Sequence, residues 1–234
     1  MNRTPWPLTA LLISFFIVGC ATPPRQWSDM TQVPMYGAPE IQRPPELQAA
    51  DEAFVERVAK DFGGREQASK LWVDQGFKFY KQNNFDLAMK RFNQAWLLNP
   101  NEPGVYWGFA SVFNDQEQFC KGRKMIEKAL ELGLTNSDAL ADAGRLYTLC
   151  AVSDPSIDAE TKASYIKKTY NLYVDASLKA PNLAYVYESW AVSSYWMGDY
   201  PGAWKMLKKA KSLGSEPGGK FLEMLKRKMP EPQD

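Results

Sequence analysis

The sequence predicts an all-α fold: an α-solenoid of about four helical hairpins stacked side by side, with a capping helix at each end. Three observations predict it. Through residues 46–229 the apolar side chains recur every three to four positions, the period of one helix face. In Ser69–Glu102 this gives two helical segments, one carrying Trp72, Gly76 and Phe79 and the other Ala88, Phe92 and Ala95, with an Asn83-Asn84 turn between them and Pro100 closing the unit. The same unit then recurs along the chain at a spacing of about 34 residues.

The chain opens with Arg3 and an apolar run from Leu8 to Val18. A permanent membrane helix needs about 20 apolar residues, so this run fits a cleaved export signal over residues 1–19. The junction Ile17-Val18-Gly19-Cys20 resembles the lipobox of bacterial lipoproteins. That resemblance implies that Cys20 becomes the mature N-terminus and carries diacylglycerol plus an N-acyl chain, enough buried methylenes to anchor stably. Ala21, rather than Asp, follows the cysteine, which in enterobacterial-type sorting implies the outer membrane, lipid-anchored and facing the periplasm. An ordinary secretory signal with an incidental cysteine is the other reading. Residues 20–45 hold six prolines and little periodicity, so they read as a Pro-rich tether reaching at most on the order of 80 Å. Trp27, Met35 and Tyr36 within it are expected to be loosely ordered. Glu46–Phe62 is an amphipathic helix with Leu47, Ala50, Phe54, Val55 and Val58 on one face, stopped by Gly63-Gly64. It is placed to cap the first hairpin.

The first unit, residues 69–102, resembles one tetratricopeptide repeat, whose pattern runs Trp-x2-Leu-Gly-x2-Tyr, then Ala-x3-Phe-x2-Ala, then Pro. Gln75 stands where the pattern has Leu. Residues 103–136 repeat it through Tyr106, Phe109, Ala110, Phe113, Gly122, Ile126 and Ala129. Residues 137–183 repeat it through Leu140, Ala143, Gly144, Tyr147, Thr169, Tyr173, Ala176 and Pro181, around an insertion at 151–163. Residues 184–217 do so through Tyr187, Trp190, Ala191, Ser194, Ala203, Leu207 and Ala210. The resemblance implies a right-handed solenoid. An ordinary helical bundle with Ala and aromatics at helical spacing is the alternative. Lys220–Met229 puts Phe221, Leu222, Leu225 and Met229 on one side and lysines on the other, a C-terminal cap before the polar tail 230–234.

Ser153-Asp154-Pro155 reads as a turn and Asp158 as the N-cap of a long following helix, so the insertion is expected to be a longer loop plus a helix extended by a turn or two. It is either a tolerated surface feature or a partner-specific protrusion. Cys120 and Cys150 are the two cysteines after Cys20. In a stack of such repeats the helix starting near Cys120 neighbours the helix ending near Cys150. In an oxidising compartment these two are expected to form a disulfide, against two separate buried thiols.

Composition bounds the function. The chain has 28 basic and 27 acidic residues, and residues 20–234 balance at 27 and 27, so no basic stripe argues for nucleic acid. It contains no histidine, which excludes a Ser-His-Asp or Cys-His nucleophile and any His-ligated metal; no cofactor is expected. Glu127, Glu131, Asp138 and Asp142 are acid–base candidates by residue type alone, and solvated charge is the ordinary explanation of them. In tetratricopeptide proteins the first helix of each hairpin lines the inner face. The resemblance therefore implies a lining that includes Phe77, Tyr80, Trp107, Asn114, Arg145, Tyr185, Val192, Tyr195 and Trp196, with the aromatics open to solvent and available to a partner. Val73 and Phe77 occupy the two leading places of the family's carboxylate clamp, so an apolar or mixed groove is expected instead. The resulting expectation is a non-catalytic scaffold that binds envelope proteins, in the manner of pilotins or of adaptors for peptidoglycan enzymes. A small-ligand or glycan-binding lipoprotein is the alternative, and a deep pocket with converging polar groups is what favours it.

Overall fold

The computed structural model describes residues 30–233. The expected signal segment, Cys20 and Trp27 lie outside them. Among the described residues every regular element is helical. Two 3-10 turns, Met30–Gln32 and Pro34–Gly37, precede α1 (Pro45–Asp61), α2 (Arg65–Lys81), α3 (Phe85–Leu98), α4 (Pro103–Asp115), α5 (Phe119–Glu131), α6 (Ser137–Ser153), α7 (Ala159–Lys179), α8 (Ala184–Trp196), α9 (Tyr200–Ser212) and α10 (Gly219–Lys228). Helices α2 to α9 pair as four hairpins, each packed on the next.

Local chemistry sets the hairpin ends. Asn84 accepts a hydrogen bond from the Leu87 backbone N–H, Asp158 from Thr161 and Asp199 from Gly202, each supplying an otherwise unpaired first-turn donor with a partner. Asn83, Glu117 and Gly198 sit at the same place in hairpins one, two and four, and each has a positive φ (58°, 58° and 81°). The turn geometry imposes that conformation even on Glu117, which has no glycine's freedom.

Packing explains the fixed small residues. Ala88, Ala95, Ala129, Ala176, Ala203 and Ala210 are fully buried. Between the first two hairpins the Phe92 ring lies in a cradle of two glycines: a Cβ on Gly76 would stand 2.4 Å from it and one on Gly108 2.3 Å. In the third hairpin the Tyr173 ring rests against Gly144. Its buried hydroxyl bonds the Ser189 carbonyl and the Ser193 hydroxyl (both 2.8 Å), and burial pushes its pKa up to about 12. The interior thus passes from hairpin to hairpin without a break between Val73 and Ala210. At the far end α10 lays Leu225 beside Trp204 and Leu207, and the Trp204 indole donates to the Met229 carbonyl at 3.1 Å.

Two expectations are corrected. The described part of the tether, residues 30–43, is a packed strap lying along α3, with Met30, Pro34 and Tyr36 buried. Met35, expected to be loosely ordered, packs against the core, as Tyr36 does. The cause is Asn93 on α3. Its amide nitrogen donates to the Thr31 and Val33 carbonyls (2.9 and 3.0 Å), while its oxygen accepts from the Tyr36 N–H (3.3 Å). The Arg43 guanidinium then covers the Tyr36 ring at 4.0 Å and pairs with Asp51 of α1. Asn93→Ala is expected to release residues 30–43 to rapid proteolysis and to cost about 1–3 kcal/mol, the usual loss when buried polar partners are orphaned. An unchanged cleavage rate there would contradict this. The insertion, expected as a longer loop plus a lengthened second helix, has the lengthened helix, α7, but not the longer loop: α6 is lengthened as well and takes up the rest. The connection between them is only residues 154–158, closed by Asp154 accepting from the backbone and hydroxyl of Ser156 and by the Asp158 cap.

Candidate partner-binding groove

The first helices of the four hairpins present one face, and its centre is a carboxylate. Asp142 of α6 accepts from the Trp107 indole of α4 (2.8 Å), from Arg145 one turn on (2.7 Å) and from the Tyr185 hydroxyl of α8. One side chain thereby ties together three consecutive hairpins. Asp142 flanks Ala141 and Ala143, both fully buried, which leaves its own side chain at the edge of the core. The neighbouring charges fix the protonation states. Burial, then the Asp142 charge, raises the Tyr185 phenol well above its ordinary pKa, so Tyr185 stays a neutral donor. Burial alone would lower Arg145, but its surroundings outweigh it, and at neutral pH the Asp142 carboxylate 2.7 Å away holds the guanidinium charged. Its plane covers the Tyr185 ring at 5.7 Å.

Beside this constellation is an open depression of about 540 Å3, lined by Tyr80, Asn114, Asp115, Glu117, Phe119, Arg145, Leu149, Tyr185 and Val192. Burial and the Asp115 carboxylate raise the Tyr80 phenol. Two polar atoms at its wall are shielded from water and have no protein partner: the Arg145 Nε–H, a donor, and the Asn114 Oδ1, an acceptor.

The aromatic residues divide between two places. Phe77 meets Trp107 at 4.7 Å and Phe92 at 5.1 Å, and Tyr80 meets Phe85 at 5.8 Å. Phe77, Tyr80, Trp107 and Tyr185 are therefore half-buried supports of the groove rather than rings open to solvent. Tyr195 lies at the other end, against Tyr200 and against Phe221 of the C-terminal cap. Trp196 alone of the six is exposed, at 47%. Cys120 and Cys150 are joined as a disulfide, with their Cα atoms 4.7 Å apart, at the edge where α5 begins and α6 ends. Asp142, weighed only by residue type, is the groove's organiser. The signal for it was a charged residue set between two alanines of a buried stripe.

The acid–base candidates are occupied structurally. Burial would raise Glu127, but the Tyr147 hydroxyl and Arg123 bind it and lower its pKa. Burial and the nearby Asp142 raise Asp138. Among the described residues no group of three His, Cys, Asp or Glu side chains could hold a metal ion, and no helix is long and apolar enough to cross a membrane.

No protein-family model matches the chain. Over 107 residues it is 27% identical to the Hsp70-Hsp90 organising protein of Plasmodium falciparum (isolate 3D7); the match covers 45% of this chain and 17% of that protein. Among solved structures, a thermophilic TPR protein of Thermus thermophilus aligns with a TM-score of 0.58 at 17% identity, covering 70% of this chain and 84% of that one. The fold is the tetratricopeptide-repeat fold. In its terms the Asp142 constellation spans repeats two to four, and Asn114 and Arg145 stand on the first helices of repeats two and three.

Proposed function

We propose that this chain is a non-catalytic scaffold that holds an extended segment of a partner protein against the inner face of its repeats. The observation that carries the reading is the open depression on the inner face, walled by the Tyr80 and Tyr185 rings and by the Asn114 amide and Arg145 guanidinium groups. A peptide main chain offers the carbonyl and N–H groups that the solvent-facing parts of Arg145 and Asn114 pair with. The shallow, open form of the depression favours a protein segment over an enclosed small ligand or glycan. Rigidity supports the reading as well, because Asp142 presets Trp107, Arg145 and Tyr185 and less order is lost on binding.

The setting we propose is the bacterial envelope, with the chain anchored through lipid on Cys20 in the outer membrane and facing the periplasm. The Ile17-Val18-Gly19-Cys20 junction supports the anchor, and the Cys120–Cys150 bridge fits an oxidising compartment. Cys20→Ser is expected to abolish lipid labelling, and a mature N-terminus at any other residue would refute the anchor. The groove is tested separately, by crosslinking and pull-down from membranes with Cys20 intact. Asn114→Ala and Arg145→Ala are each expected to lower partner recovery about tenfold, the equivalent of about 1.4 kcal/mol. Unchanged recovery with both variants folded would remove the groove.

A further inference from the structure

The fourth hairpin breaks the repeat pattern at one place. Phe79, Phe113 and Tyr147 hold equivalent positions in the first three hairpins, and Ser194 holds it in the fourth. Where that ring is missing, a cleft of about 330 Å3 lies between α7 and α9, and Ser194 is part of its wall. Ile166, Tyr170, Trp190, Met197 and Met206 supply its apolar lining. Ile166 is 42% exposed and Tyr170 59%.

The cleft continues as a stripe. Along α7, Ala159, Ala163, Ile166, Tyr170, Val174 and Ser177 recur every three or four residues on one flank, beside the buried face of Thr169, Leu172, Tyr173 and Ala176. At 21 residues α7 is about 31 Å long, against 13 residues for α9, so the stripe runs beyond its neighbour. An apolar flank centred on Ile166, Tyr170 and Val174 and opening onto a cleft has the shape that receives the apolar side of a helix. By helical spacing the basic residues along it are Lys162, one turn before Ile166 on α7, and Lys205 and Lys209 on α9, with Glu160 at the start of α7 and Asp199 as the acidic ones. Asp199, at the cleft's end, uses its carboxylate to cap α9 through the Gly202 N–H.

We infer that the α7–α9 cleft is a second docking site, separate from the inner-face groove, and that its occupant is an amphipathic helix of a partner protein, apolar on one side and acidic along its flanks. Charge selects that occupant over a second copy of the chain. The helices a second copy offers, α7 and α10, are themselves lysine-rich, with Lys220, Lys226, Arg227 and Lys228 on α10. The acidic helix α1 already has its apolar side buried against Trp72 and Ala68.

The test uses the whole mature protein and two designed 18-residue helices, leucine on one face with glutamate on the other, and the same peptide with lysine for glutamate. Fluorescence anisotropy is expected to give at least tenfold tighter binding for the glutamate peptide, weakening as salt rises. Ser194→Tyr, which refills the cleft, and Ile166→Glu, a surface change that leaves the core alone, are each expected to weaken it at least tenfold. Equal binding of the two peptides, no binding, or binding indifferent to both variants would overturn the inference. So would loss of binding in Arg145→Ala, which would move the peptide to the inner face, or a concentration-dependent dimer that Ile166→Glu dissolves.

Discussion

Replacing Phe92 with alanine is expected to destabilise the protein by about 3–5 kcal/mol, the range for deleting a fully buried phenylalanine. The ring has no solvent exposure, sits between the backbones of Gly76 on α2 and Gly108 on α4, and meets Phe77 and Phe109 edge-on at 5.1 and 6.2 Å. Its loss opens a hole at the junction of two hairpins, where neither can close it alone. The cradle makes a sharper prediction. Gly108→Ala alone should cost about 1–3 kcal/mol, because the new methyl meets ring atoms at 2.3–2.5 Å. In the Phe92→Ala background the same methyl enters vacated space, and its cost should vanish, offset further by alanine's better helix propensity of about 0.5–1 kcal/mol. Urea denaturation of the four proteins measures the coupling, expected to exceed about 1 kcal/mol. Additive losses would mean that the glycine and the ring do not share one site.

Removing the Cys120–Cys150 disulfide is expected to cost about 3–4 kcal/mol. The bridge closes a sequence separation of 30 residues, and in the chain-entropy model a loop of that size restrains the unfolded chain by this amount. For a domain of this size the corresponding drop in Tm is roughly 10 °C. Calorimetry of the Cys120→Ser, Cys150→Ser protein beside the oxidised one checks it, and a shift under about 2 °C would contradict the entropic account. The effect should spread beyond the bond, since it fixes the ends of α5 and α6 beside the turn 154–158 that carries α7.

Much of this architecture is legible in residue order because each hairpin is a local object. Ala88 and Ala95 share a face by spacing alone, and the same spacing returns in every repeat, so the helices and their buried stripes follow from short-range pattern. The strap does not. Six prolines between Cys20 and Pro45 describe an extended chain, and what fastens it is Asn93, about 60 residues away, through bonds to main-chain atoms that carry no sequence identity. An asparagine placed beside Phe92 in a buried stripe was the one available sign. The groove was half legible. Position within the repeat brought Trp107, Arg145 and Tyr185 to one face, but it gave no account of what they touch. Asp142 tightens them into half-buried supports through contacts across three hairpins. Helical spacing could not reveal that, because a carboxylate at that spacing is ordinarily solvated.

The most direct measurement of the proposed role is a crosslinking map. A photoreactive residue placed singly at Tyr80, Val192 and Trp196 on the inner face, and at Lys90, Lys124 and Lys208 on the second helices, would be irradiated in native membranes. The account predicts that the partner held in the groove is captured from the inner-face positions and lost from them when Arg145 is also alanine. The same partner captured equally from the second-helix positions, or from none of the inner-face positions, would contradict it.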